Sequence, residues 1–319
     1  MTRTREIRLV SSATAGSAAD RLEIVETVLP DPKPDQVLVR NRMMALRAAM
    51  GLLLAGGVPG MPSYRVGETL WGPAVGEVVA GALPPGTLVA HPLGWREYAV
   101  LDSAQARVLP ADADPALQLS QAELAHAALS LAPLRAEETV FVSSAAGSIG
   151  TMAGRLARLL GAGRVVGSAS ASKVAWLTGH AGFDAAFDRG DADLVAALRS
   201  AAPKGVDVYL DLTGGPQLQA VLEAANPGAR IMAIGTLDSQ DRATGIDLPT
   251  LVAKRITLRG FTPRDHPEAL ARAGQEIGEW SRRGLLPVAQ AVFDGLEQAP
   301  TALTGLLEGA HTGTVVVRL

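Results

Sequence analysis

The chain has 319 residues, of which 48% are hydrophobic and 19% are charged, a balance typical of a globular protein with a substantial core. Its formal net charge is −3 and its basic residues form no long run, which argues against a nucleic-acid partner. It has no cysteine, which excludes disulfides, thiolate zinc sites and a cysteine nucleophile. The chain has no apolar stretch as long as a membrane span, and its charged first residues are unlike a signal peptide, so we expect a cytoplasmic protein. The bias toward alanine and arginine is typical of a GC-rich bacterial genome.

Residues 1–118 contain short β-strand candidates separated by glycine and proline turns. The sequence predicts strands at 35–44, 69–81, 86–92 and 95–101. Irregular β-structure with many turns favours a small barrel-like domain.

From residue 119 to about 261, strand and helix candidates alternate. Helices are predicted at 150–161 and 191–201, and strands at 139–144, 164–169, 184–188, 206–212, 229–235 and 255–261. The strands are mostly continuous apolar runs, as expected when helices cover both faces of a sheet. The pattern predicts an α/β domain with a doubly wound parallel sheet. The remaining segment, 262–319, carries a helix at 267–283 and a strand at 312–319, and we expect it to complete the N-terminal domain.

A glycine turn follows the first strand of the alternating region. Gly147 and Gly150 lie between that strand and the next helix, so backbone N–H groups could approach a pyrophosphate at the positive end of the helix. The same pattern also occurs as a plain turn between a strand and a helix. The strand–turn–helix context favours dinucleotide binding.

The end of the second strand indicates which dinucleotide binds. An NAD site usually has an acidic residue there, to hold the ribose 2′-hydroxyl. Here the segment reads GSASASK, with Ser168, Ser170 and one of the chain's four lysines, Lys173. Arg189, after the third strand, adds a second cation. This set favours the 2′-phosphate of NADPH, and the alternative is a solvated polar loop.

The segment VFVSSAAGSIGTMAGRLARLLG (140–161) resembles the strand–turn–helix of medium-chain dehydrogenase/reductases. The closer resemblance is to their zinc-independent branch, the NADPH-dependent alkenal/one reductases and prostaglandin reductases. Later parts of that branch are similar to the segments SKVAWL, GFDAAFD, YLDLTGG, GARIMAIG and GLLEGAHTGTVVVRL. Its barrel-like (GroES-like) domain is similar to the segments VGETLWGPAVGEVVAG and GWREYAV. The resemblance implies a substrate domain at 1–118, completed by 262–319, and a Rossmann domain at 119–261.

The resemblance also implies roles for individual residues. Lys173 takes the place of the family's 2′-phosphate lysine, Arg189 that of a tyrosine at the adenosine phosphate, and Gly235 lies near the nicotinamide. His311 replaces an asparagine that faces the cofactor. The pyrophosphate turn comprises Ser144, Gly147, Ser148, Ile149 and Gly150.

The substrate half departs from the family pattern. The family's early Asp-Pro-Tyr-Met segment reads LRAAM (46–50) here, and the chain has only three tyrosines. Reduction of a conjugated C=C bond needs a donor near the carbonyl oxygen and a proton for the α-carbon. Tyr64, in a segment that lines the family's active site, is one candidate donor, and packing is its alternative. His126 is a second candidate, with a helix-face position as its alternative.

We therefore expect an NADPH-dependent, zinc-independent reductase of a carbonyl-conjugated C=C bond or of a quinone, acting on a small or medium-sized substrate. The missing tyrosines keep open a non-reducing relative of cyclase or isomerase type, with the dinucleotide structural or vestigial, and a third alternative is an NADPH-binding sensor. We expect neither a bound metal nor a membrane partner, and a homodimer is the candidate assembly.

Ser143 and Ser144 lack the Gly-x-Ser-x-Gly pattern of a hydrolase nucleophile.

Overall fold

The computed structural model describes residues 1–12, 16–57, 62–235 and 245–319. The chain divides into one unit formed by Met1–Ser120 with Gln290–Leu319, and a second formed by Gln121–Ala289. Each unit has its own sheet and its own core.

The first unit is rich in β-strands. Its helices are α1 (Ala49–Leu54), α2 (Pro115–Leu119) and, near the end of the chain, α10 (Ala299–Leu307). Its strands are β1 (Thr2–Leu9), β2 (Leu22–Leu29), β3 (Gln36–Leu46), β4 (Ala74–Gly81), β5 (Leu88–His91), β6 (Tyr98–Asp102), β7 (Arg107–Val108), β14 (Gln290–Asp294) and β15 (Thr314–Arg318). Strands β1 and β2 form an antiparallel pair, and the larger sheet runs β14-β15-β3-β4-β5-β7 with β6 also on β3. Trp95 is fully buried in the core of this unit.

The second unit is a parallel sheet with helices between its strands. The strands are β8 (Thr139–Val142), β9 (Arg164–Ala169), β10 (Ala185–Asp188), β11 (Val206–Asp211), β12 (Ala225–Ala233) and β13 (Thr257–Gly260). The helices are α3 (Ala122–Ser130), α4 (Ser148–Leu159), α5 (Ala171–His180), α6 (Leu194–Ala201), α7 (Gly215–Ala224), α8 (Leu248–Lys254) and α9 (Pro267–Arg282). The strand order is β10-β9-β8-β11-β12-β13, and every pairing is parallel. This order is that of a doubly wound Rossmann sheet, which confirms the predicted fold class.

The boundary between the units differs from the sequence prediction. Only 290–319 joins the first unit, whereas 262–289 belongs to the second, because α9 packs against α3. The ring of His126 on α3 lies against that of Trp280 on α9, with centroids 5.6 Å apart. The returning segment also adds β14, which the sequence analysis did not predict and which pairs in parallel with β15.

The described helices include none that is both long enough and apolar enough to cross a lipid bilayer.

Candidate dinucleotide-binding site

The turn after β8 carries the first component of the site. Strand β8 is buried throughout and lies between β9 and β11, where the connections of the sheet diverge to opposite sides. The chain leaves it through Ser144, whose φ of 48° is left-handed. Gly147 is the N-cap residue of α4 and offers no side-chain cap. The helix therefore presents its positive end beyond the carboxyl edge of the sheet, the usual place of a ligand in this fold.

The two glycines of the turn are glycines for different reasons. A Cβ on Gly150 would lie 2.5 Å from both Ala145 Cα and Ser144 O, so close packing of the helix on the turn excludes any side chain there. A Cβ on Gly147 would meet only Ser144, at 3.4 Å from its carbonyl oxygen, and the φ of −82° suits any residue. The packing around Gly147 therefore tolerates a methyl group. Because glycine has no such group, the space over the helix N-terminus stays open. An open helix N-terminus of this kind suits a pyrophosphate.

Two cations lie together at the edge of the same sheet. The Lys173 N–H donates to Ser170 O at 2.8 Å, and the Arg189 N–H donates to Ala169 O at 2.7 Å, so both residues are held by the end of β9. Burial, and secondly the Arg189 guanidinium, lower the pKa of Lys173 below its ordinary value. A phosphate dianion bound near both side chains would stabilise their positive charges.

The serines of this segment take different positions. Ser168 is fully buried, and its hydroxyl donates to Gln217 Oε1. This hydrogen bond gives Ser168 a supporting position, and its predicted phosphate contact stays a prediction. Ser170 is the N-cap residue of α5, and its side chain makes no cap hydrogen bond. Its phosphate contact stays a prediction.

The two candidate catalytic side chains each have a partner within their own unit. The Tyr64 hydroxyl donates to Trp71 O at 2.7 Å, and burial raises its pKa well above the ordinary value. His126 Nε2 lies 2.7 Å from a Glu276 carboxylate oxygen between α3 and α9. These contacts support packing roles, and the catalytic assignments stay predictions.

The last two predicted cofactor residues, Gly235 and His311, also have local explanations. A Cβ on Gly235 would lie 2.3 Å from Leu212 O, so the close approach of the ends of β11 and β12 requires glycine there. The His311 ring lies edge-on to Phe293, with centroids 5.2 Å apart. Neither observation tests contact with a cofactor.

The sequence analysis missed a buried polar cluster beside the site. Asp211, at the end of β11, accepts hydrogen bonds from the Tyr209 hydroxyl at 2.9 Å and from Gly214 N–H at 2.7 Å. Ser143, which follows β8, accepts from Leu212 N–H at 2.9 Å. An aspartate that ends an apolar strand just before a Gly-Gly pair was the available signal, since a buried carboxylate must be hydrogen-bonded.

Among the residues that the structure describes, no three His, Asp or Glu side chains group so as to hold a metal ion. Absence of zinc stays a prediction.

Two family models match the chain. Residues 148–277 match a model described as a zinc-binding dehydrogenase, and residues 5–109 match one described as the N-terminal domain of an oxidoreductase. Each matched range lies within one of the two units.

Similar proteins include named enzymes. The chain is 32% identical to prostaglandin reductase 1 of Mus musculus over 315 residues, which is 93% of each chain. It is 33% identical to the NADP(+)-dependent 2-alkenal reductase of Nicotiana tabacum over 270 residues, 80% of this chain and 78% of that protein. Among solved structures, CurA from Vibrio vulnificus in complex with NADPH matches with a TM-score of 0.88 at 25% identity, over 98% of each chain.

Proposed function

As a member of the zinc-independent branch of the medium-chain dehydrogenase/reductase superfamily, this chain is an NADP-dependent oxidoreductase, and we propose that it reduces a carbonyl-conjugated C=C bond. The observation that carries the cofactor part of the proposal is the space that Gly147 leaves over the N-terminus of α4, with Lys173 and Arg189 both hydrogen-bonded to the end of the neighbouring β9. The negative charge of a pyrophosphate complements the helix N-terminus, and that of a 2′-phosphate complements Lys173 and Arg189.

NADPH, when bound, supplies a hydride to an electrophilic carbon. The chain's own residues would hold and orient it. Helix α4 offers backbone N–H groups and its positive end, and Gly150 lets that helix pack directly against the turn. Lys173 and Arg189 would distinguish the phosphorylated from the unphosphorylated ribose.

The substrate class is drawn from the relatives and from the missing metal ligands. Prostaglandin reductase and 2-alkenal reductase are both similar to this chain, and the second name specifies a conjugated C=C substrate. A site without cysteine also lacks the thiolates that would bind a Lewis-acidic zinc, so an isolated carbonyl would not be polarised in that way. Hydride addition to the β-carbon of a conjugated carbonyl gives an enolate, whose charge is shared between oxygen and the α-carbon, so it needs less polarisation than the localised alkoxide formed from an isolated carbonyl. A quinone satisfies the same requirement.

The experiment is NADPH consumption with matched substrates. The purified chain is supplied with an enone, the saturated ketone of the same skeleton, and a quinone, and NADPH absorbance and products are followed. We expect oxidation of NADPH with the enone or the quinone and little with the saturated ketone. Turnover of the saturated ketone alone would overturn the proposal.

A non-reducing reaction is the second candidate, favoured by the loss of the family's tyrosine from LRAAM (46–50). The same experiment separates the two. A cyclase or isomerase would convert its substrate with no net loss of NADPH, whereas a reductase consumes one NADPH per product.

A further inference from the structure

A line of buried polar side chains crosses the carboxyl edge of the parallel sheet from β11 to β9. It consists of Asp211, Thr213, Gln217 and Ser168, none of which is more than 3% exposed. Buried polar groups need hydrogen-bond partners, and these four supply partners for one another or for nearby backbone. The line thus joins strand ends that are separated by β8 in the sheet.

On the β11 side, the line begins at a tight turn. Gly214 and Gly215 both have left-handed φ, of 71° and 64°. The Asp211 carboxylate accepts from Thr213 N–H at 3.1 Å and from Gly214 N–H at 2.7 Å. The carboxylate therefore fixes the turn from which α7 starts.

Gln217, in the first turn of α7, connects the two sides. Its Nε2 donates to Thr213 Oγ1 at 3.2 Å, and its Oε1 accepts from the Ser168 hydroxyl. Both ends of the amide are engaged, so its orientation is determined by its neighbours.

On the β9 side, Ser168 begins the segment that holds the proposed phosphate contacts. Its carbonyl accepts from Ala145 N–H, in the pyrophosphate turn, at 2.8 Å. The next two carbonyls, of Ala169 and Ser170, accept from Arg189 N–H and Lys173 N–H. A shift at Ser168 would therefore move both cations relative to the turn.

We propose that Gln217 is a positioning residue for NADP(H), which acts through Ser168 to set the placement of Lys173 and Arg189 for the 2′-phosphate. The inference rests on the proposed 2′-phosphate site and adds a determinant that does not itself touch the cofactor. Replacement of Gln217 should weaken binding of the phosphorylated cofactor in particular, because NADH lacks the 2′-phosphate that the two cations would bind.

The test measures Kd for NADPH and NADH, together with the free energy of unfolding in urea, for Gln217→Leu and Ser168→Ala. We expect Gln217→Leu to raise the Kd of NADPH about fivefold, the effect of one lost hydrogen bond, and that of NADH less than twofold. Ser168→Ala should act in the same direction, and it remains informative if the leucine variant does not fold. The double variant should be no worse than the stronger single one, because the two residues act as one unit.

Gln219→Leu is the matched control. Gln219 lies on the same helix, and its side chain donates to Gly245 O rather than to Ser168, so its loss should leave the ratio of the two Kd values unchanged. Equal weakening of NADPH and NADH by Gln217→Leu and Ser168→Ala, or lower stability with an unchanged ratio, would overturn the inference. A wild-type protein that does not prefer NADPH would instead contradict the proposed 2′-phosphate site itself.

Discussion

The backbone N–H of Arg189 donates to the carbonyl of Ala169 at 2.7 Å, which brings a residue after β10 to the end of β9. The backbone N–H of Lys173 donates to the next carbonyl along the chain, that of Ser170. The two cationic residues are therefore hydrogen-bonded to adjacent carbonyls. The sequence separates them by sixteen positions, and parallel pairing of β9 with β10 brings them together.

Lys173→Ala should therefore weaken NADPH binding about tenfold and leave NADH binding nearly unchanged. A charge-assisted hydrogen bond to phosphate contributes roughly 1.5–3 kcal/mol, and partial exposure and salt favour the lower end. Arg189→Ala should act in the same direction, but less strongly. Titration of both cofactors at two salt concentrations checks this. Equal losses for NADH would mean that the lysine supports the loop structurally.

The affinity for NADPH should fall at alkaline pH. The ammonium of Lys173 is charged below its pKa, which burial and Arg189 place below the ordinary 10.5. Raising the pH through that value removes the charge, so the Kd of NADPH should increase while that of NADH stays level. Lys173→Arg is the control, since a guanidinium keeps its charge and should remove most of the pH dependence. A parallel rise for both cofactors would assign the effect to another group.

The two turn glycines should respond differently to a methyl group. Gly150→Ala should lower the free energy of unfolding by about 1–3 kcal/mol, because its Cβ would overlap the backbone of the turn. Gly147→Ala should change stability by less than about 1 kcal/mol, yet weaken NADPH at least about tenfold by filling the pyrophosphate space. Urea unfolding and cofactor titration on both variants test the pair. Unchanged NADPH binding in Gly147→Ala would remove the pyrophosphate from this turn.

Tyr64→Phe should mainly affect stability. Loss of the hydrogen bond to Trp71 O leaves a carbonyl without its donor, at a cost of about 1–2 kcal/mol. Because the hydroxyl proton is already engaged, we expect kcat to fall by less than about tenfold. A loss of a hundredfold or more in kcat, with unchanged folding, would identify Tyr64 as the proton donor after all.

Zinc should not bind in stoichiometric amount to protein prepared without a purification tag. The chain has no thiolate, and the described residues offer no cluster of His, Asp and Glu ligands. Metal analysis of dialysed protein checks this. One zinc per chain would require a ligand set that the sequence analysis does not predict.

The sequence alone was sufficient for the strand, glycine turn and helix around Gly147. Its determinants are local, namely a short apolar run, two glycines and an amphipathic helix, so residues 164–169 and 267–283 were likewise predicted within a residue of the observed β9 and α9. The polar end of β9, which lacks an acidic residue, also indicated NADPH. These features depend on residues that are neighbours in the chain.

Only the tertiary structure shows that the serines of that segment have different surroundings. Ser168 and Ser170 look equivalent in sequence, but Ser168 is buried, and its hydroxyl donates a hydrogen bond to Gln217, forty-nine residues away. The assignment of α9 to the second unit likewise follows from its packing on α3, which no local pattern encodes. Hydrophobic periodicity says that a face is buried, but the partner that buries it comes from a distant part of the chain, and only the packed structure identifies that partner.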